Sequence, residues 1–214
     1  MKINLYVLFC LIFLVFIQLY SFADETDEYW CQNEISNKIN DNIKLKFKPV
    51  IYFNDNCSKH FTTFFEFGFD CKINNIFTLG PYFRYINIKT DTNWKLEVRP
   101  HLNLSIKIPI GLKNVSLSDN NRLEYRIRNN NNAYRFRNKL TVKYSRFKII
   151  PNIGFEVFYD FKADEFNRMR FYAGVDFKIM KSTGTGIGYI LQKDDCGEEW
   201  KDRNIYTTTL KVSF

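Results

Sequence analysis

A chain of 214 residues with no Pro- or Gly/Ser-rich linker holds one domain. Its formal charge of +8 would suit nucleic acid if the cations gathered in a patch, but Lys and Arg alternate with apolar residues, so no nucleic-acid partner is expected. Two histidines without a Cys/His cluster leave no zinc centre, and no cofactor is expected.

The opening MKINLYVLFCLIFLVFIQLYSFA sets Lys2 ahead of an apolar run from Leu5 to Tyr20, with Ser21 and Ala23 at the spacing a signal peptidase accepts. This predicts a signal peptide over 1–23, cleaved after Ala23. The competing reading is an uncleaved anchor, whose run falls just short of the ~17 to 25 residues that cross a bilayer. Cys10 lies inside the run behind Phe9, where a lipoprotein signal needs a small residue, so it leaves with the leader. Residues 24–42 read as a periplasmic N-terminal segment or a rim strand of the domain.

From Ile43 on, apolar residues recur at every second position, a strand signature. Strands are predicted over 43–53, 61–72, 76–88, 94–109, 115–128, 133–145, 147–161, 167–180, 184–192 and 204–214, about ten, with 8 to 12 compatible with the pattern. In WKLEVRPHLNLSIKI, Trp94, Leu96, Val98, Leu102 and Leu104 share one face, and Lys95, Glu97, Arg99, His101 and Ser105 the other. Most predicted strands reach the ~9 to 11 residues that cross a bilayer at a tilt. Short connections (INN, IGLKN, SRF, KSTG) alternate with longer ones (NDNCSKH, KTDTN, NNNN, KADEF, KDDCGEEWKDR), as periplasmic turns and outer loops do. The expectation is an all-β antiparallel transmembrane barrel over 43–214 with an even strand count and both ends periplasmic.

Alternation does not say which face meets lipid. A secreted soluble barrel around an apolar ligand is the competing fold. Aromatics make up 18% of the chain, and Tyr and Phe recur near strand ends, as interfacial girdles require. The terminal NIYTTTLKVSF, with Tyr206, Leu210, Val212 and Phe214, resembles the assembly signal of bacterial outer-membrane barrels, which implies the assembly machinery as a partner and outer-membrane lipid as the surroundings.

If the apolar face is outward, the charged face lines a lumen too narrow to keep long side chains apart. Arg99, Arg126, Arg128, Arg137, Arg168 and Arg170 are then expected to pair with Glu97, Glu124, Glu156, Asp160 and Asp176, because desolvated charges persist only when paired. A filled, net-positive lumen is favoured over an open anion-preferring pore.

An outer-membrane lipid-acyl hydrolase is the enzymatic alternative, and it needs a Ser and a His within hydrogen-bond reach. His101 and Ser105, four residues apart on one strand face, stand about 13 Å apart. Ser58 and His60 lie at an outer loop with no acidic partner at motif spacing, and Asp194, Asp195, Glu198 and Glu199 follow no calcium-loop pattern. The glycines of TGTGIGYI sit in an alternating strand, where they relieve crowding rather than cradle phosphate. No catalytic, metal or cofactor residue is assigned.

The mature chain keeps Cys31, Cys57, Cys71 and Cys196. Barrel closure sets the first and last outer loops side by side, which favours a Cys57–Cys196 bridge and leaves Cys31 with Cys71 on the periplasmic side. The alternative is free thiols.

From Lys95 to the end, LEVRPHL with Arg99, Tyr125-Arg126-Ile127-Arg128, FRNKLTVKY, PNIGFEVFY with Pro151 and Glu156, RFYAGVDFK with Arg170 and Gly174, and GYILQ with Tyr189 occur in an order that resembles domain-of-unknown-function family 2490. The chain departs from that pattern in KLKFKPVIYF, where Lys46, Lys48 and Val50 stand in place of an acidic residue and an arginine. The resemblance implies a bacterial outer-membrane barrel and no activity. The role expected is structural, or that of a narrow anion-preferring porin-like barrel.

Overall fold

The alternating segments form eleven strands: β1 (Glu28–Lys38), β2 (Ile43–Asn54), β3 (Lys59–Lys72), β4 (Phe77–Lys89), β5 (Trp94–Ile108), β6 (Val115–Arg128), β7 (Ala133–Tyr144), β8 (Ile149–Asp160), β9 (Glu165–Lys178), β10 (Thr183–Asp195) and β11 (Trp200–Ser213). They close into one barrel in a computed structural model that describes residues 27–54, 59–90, 93–128, 131–146, 148–197 and 199–214. The predicted signal peptide, Cys57 and Ser58 lie outside the described residues.

Consecutive strands pair antiparallel, and β1 closes the barrel against β11 in parallel, from Glu28 opposite Ile205 to Ser36 opposite Ser213. An up-and-down barrel with an odd strand count can close in no other way. Residues 28–38 are therefore a full wall strand, which corrects the even count and the periplasmic or rim placement. β1 starts at the end of the barrel opposite Phe214. At the shared end, Lys38 N donates to Phe214 O (3.2 Å) and Phe214 N to Ser36 O (2.9 Å), while the Phe214 side chain stays 76% exposed.

Every connection is four residues long except the six between β5 and β6, so the expected alternation of loop lengths is absent. Residues assigned to long outer loops belong to strands, among them His60, Glu165, Lys193 and Trp200. Two turns at the Phe214 end share one device. Asn40 Oδ1 accepts from the N–H groups of Asn42 (2.9 Å) and Ile43 (2.8 Å), and Asn74 Oδ1 from those of Ile76 (2.8 Å) and Phe77 (2.7 Å), which are Asx turns that set the hairpin register.

Because side chains alternate faces, register fixes what lines the wall. Large apolar residues such as Phe67, Leu102, Ile153 and Phe171 are exposed on the outside, and the charged residues point in. The inward glycines of β10 fit the crowding reading: a Cβ on Gly188 would meet Thr207 Oγ1 at 2.8 Å, and one on Gly186 would meet Asp176 Oδ1 at 2.7 Å. Cys31 and Cys71 are free and sit on strands separated by β2, Cys31 opposite Ile51 and Cys71 opposite Ile43, near opposite ends of β2, so they form no bridge. Cys196 is also a free thiol.

Asn33 and Leu210 are outward partners across the parallel seam. In a cysteine-free background, the pair Asn33→Cys and Leu210→Cys is expected to form an intrachain disulfide under mild oxidation, since neighbouring strands bring Cα atoms within the ~4.4 to 6.8 Å it tolerates. Absence of the non-reducing gel shift in the folded chain would mean that β1 is not the closing strand.

Candidate functional site

Four inward carboxylates, Glu66 on β3, Glu97 on β5, Glu124 on β6 and Glu156 on β8, organise the lumen, and each is almost completely buried, Glu124 at 0% exposure. Glu124 accepts from Arg135 Nη2 (2.6 Å) and Arg137 Nη1 (3.0 Å). Arg137 reaches on to Glu156 Oε1 with Nη2 (2.6 Å), and Arg122 lies 3.5 Å from both Glu66 and Glu124. Arg170 stands 3.7 Å from Glu156, and Tyr172 donates its hydroxyl to the same carboxylate. The result is a continuous path Glu66–Arg122–Glu124–Arg137–Glu156–Arg170 across the barrel.

Glu97 holds a second cluster, accepting from Arg99 Nε (2.7 Å) and Arg126 Nε (2.6 Å), with Arg128 at 3.4 Å. Asp176 anchors a third, near the Phe214 end, between Lys143 and Lys211, both at 3.0 Å. Ten of the eleven residues expected to pair in the lumen lie in ion pairs, although Asp176 meets lysines and not arginines and Arg168 takes Asp194, a residue outside the expected set. Asp160 does not join: its Oδ1 takes the Lys162 N–H at the β8–β9 turn (2.9 Å).

Several central members escaped the sequence reading. Glu66 is masked by phenylalanines on both sides in FTTFFEFGF, although it shares parity with Asp70. Its partners are Arg84, Arg122, Lys48 (3.8 Å) and His101 (3.4 Å). Arg122 and Arg135 stand in register with Arg137 and Glu124, respectively, a signal the sequence does carry. Lys46 pairs with Asp70 (2.7 Å) and Lys48 with Glu34 of β1 (3.2 Å), so β2 draws its counter-charges from both neighbours where the family pattern would carry its own.

His101 stacks on Tyr82, with centroids 5.5 Å apart, and its Nε2 faces Glu66, while the Ser105 hydroxyl donates to Asn120 Oδ1 (2.7 Å). His60 Nε2 lies 2.6 Å from the Thr63 hydroxyl at the opposite rim. Neither histidine meets a serine among the described residues.

Phe158, 1% exposed, sits where the arginines converge: the guanidinium carbons of Arg135, Arg137, Arg168 and Arg170 lie 5.1, 4.7, 5.7 and 4.8 Å from its ring centre. The π-face attracts each cation and keeps the four apart. Beside this cluster is a cavity of about 490 Å³, whose lining holds eleven Lys or Arg side chains and three carboxylates.

The model of a family described as "Protein of unknown function (DUF2490)" matches residues 27–202, from the residue before β1 into β11, a wider span than the resemblance from Lys95 onward. No curated protein matches the chain.

Replacing Glu124 by Gln leaves Arg135 and Arg137 facing a neutral amide. The expected loss is about 3 to 5 kcal/mol, read as a lower denaturant midpoint for unfolding from micelles. Lys193→Gln, which breaks the largely exposed Lys193–Asp202 pair, is expected to cost under about 1 kcal/mol. Equal losses would refute a desolvated network.

Proposed function

We propose that this chain, which belongs to the DUF2490 family, is an outer-membrane β-barrel whose lumen is packed by a net-positive charge network and admits small anions only. The observation that carries the reading is the sidedness of the wall: exposed apolar side chains cover its outside on strand after strand, and charged ones fill the inside. A barrel dissolved in water gains free energy from the opposite arrangement, because the hydrophobic effect drives apolar surface inward. Strands of 11 to 15 residues suffice to cross a bilayer at a tilt.

Rim chemistry supports the same reading. Trp94, Tyr134, Tyr159 and Trp200 lie on the outward face near the end where β1 begins, at the level of an aromatic girdle. At the same end the outward residues of β10 and β11 turn charged, with Lys193 Nζ 2.9 Å from Asp202, as expected where strands protrude into water. In this orientation the Phe214 end is periplasmic.

The excess of cations around the cavity supports anion preference, since a lining of Arg and Lys attracts anions. Lys139 is inward, with Nζ 3.3 Å from the Tyr172 ring centre and no carboxylate within 4 Å among the described residues, so its charge is open to an entering anion.

The mature chain, refolded in detergent, is expected to migrate differently boiled and unboiled. Inserted in a planar bilayer under a KCl gradient, it is expected to show small conductance with a reversal potential on the chloride side, a preference that Lys139→Gln weakens. A water-soluble monomer contradicts the membrane reading, and large or cation-selective conductance contradicts the packed positive lumen.

A further inference from the structure

Away from its rims the outer wall carries one acidic side chain, set in a polar patch. Asp119 is the fifth residue of β6 and Asn121 the seventh, and Asn138 is the sixth of β7. Register places all three on the outward face: Asp119 stands between Ile106 and Leu140, and Asn121 between Leu104 and Asn138. Leu102, Leu123 and Leu140 around them are 41 to 47% exposed. Among the described residues, Asp119 is the sole charged side chain on the outward face away from strand ends. Lys89, Lys193, Asp195 and Asp202 all lie at the end where β1 begins.

The three side chains form a closed set. Asn138 Nδ2 donates to Asp119 Oδ1 (2.6 Å) and to Asn121 Oδ1 (3.0 Å), and Asn121 Nδ2 donates to Asp119 Oδ2 (3.1 Å). One donor and one acceptor remain without a partner among the described residues: the second N–H of Asn121 and Asn138 Oδ1. Acyl chains satisfy neither, and an acidic residue at this depth is costly when it faces lipid.

We propose that the chain pairs with a second copy of itself across the β6–β7 wall, about a two-fold axis near Asn138. This rests on the lipid-facing reading above. A two-fold contact lays a patch against its own copy, so the free Asn121 N–H of each protomer meets Asn138 Oδ1 of the other. The surrounding leucines and Ile106 form an apolar rim that shields these hydrogen bonds, the arrangement in which buried polar contacts fix orientation. A second copy is the occupant favoured because the patch is complementary to itself, one donor to one acceptor.

The test uses the mature chain, its four cysteines replaced by serine, refolded into phosphatidylcholine–phosphatidylglycerol vesicles. Leu140→Cys, the next outward position on β7, is expected to yield a covalent dimer with a short bis-maleimide crosslinker, and Asn33→Cys, outward on β1 across the barrel, to stay monomeric. The triple variant Asp119→Leu, Asn121→Leu, Asn138→Leu is expected to retain heat-modifiable mobility, which shows that it folds, and to self-associate about tenfold or more weakly in detergent sedimentation. A wild-type barrel that inserts yet stays monomeric overturns the pairing alone, as does a dimer that the triple variant leaves intact. A chain soluble without detergent overturns the lipid-facing reading and the pairing with it.

Discussion

A small closed barrel with charged residues inside has little room for solvent around its carboxylates, and the rest of the structure follows from how that constraint is met. Glu66, Glu97, Glu124 and Glu156 are all but removed from water, and each draws two or more cations. Isolated ions at such depth cost several kcal/mol each, and pairing offsets that only with good geometry. Sharing is the solution used: Arg137 serves Glu124 and Glu156, and Arg122 lies between Glu66 and Glu124. Most of these bonds join neighbouring or next-neighbouring strands, with Arg122 reaching from β6 to Glu66 on β3, so the network also pins register, since a one-residue slip would turn a strand's charges outward.

β1 completes this arrangement as well as the wall. Its inward Glu34 meets Lys48 (3.2 Å), its Glu28 meets Arg203, and the Arg170 guanidinium carbon lies 4.9 Å from the Trp30 ring centre. Without it, β2 and β11 would be open edges, which pair readily with other chains. Bacterial outer-membrane barrels usually carry even strand numbers. This chain reaches an odd one because the strand that supplies the missing counter-charges lies ahead of an otherwise ten-stranded up-and-down pattern.

The barrel was legible from Ile43 onward because apolar–polar alternation is long and strict there, as in WKLEVRPHLNLSIKI. β1 was not: its outward residues Tyr29, Cys31, Asn33, Ile35 and Asn37 include few strong apolars, so its parity is faint. The ten expected lumen residues that pair follow from parity alone, whereas the hub role of Glu66 depends on which strands close together, which a single sequence does not display. The Cys31–Cys71 expectation failed for the same reason, since it placed 24–42 below the barrel. Asn138 visibly interrupts Phe136 and Leu140, as Asp119 and Asn121 interrupt Leu117 and Leu123. That the interruptions meet is a fact of register.

Parallel closure bears on the leader. In the proposed orientation Asp27 enters the wall from the outer side, and it follows Ala23 by four positions, a reach of at most about 14 Å. An apolar run held in the inner membrane would have to be joined to that point across the barrel's own height, on the order of 30 Å, before it reached even the periplasmic face. The chain is too short for that connection. An apolar run held in the inner membrane is therefore incompatible with the proposed outer-membrane barrel closed by β1, so that proposal carries cleavage of the leader with it. Under the same proposal β1 begins on the outer side, beside the aromatic rim, while the C-terminal phenylalanine stays at the opposite end.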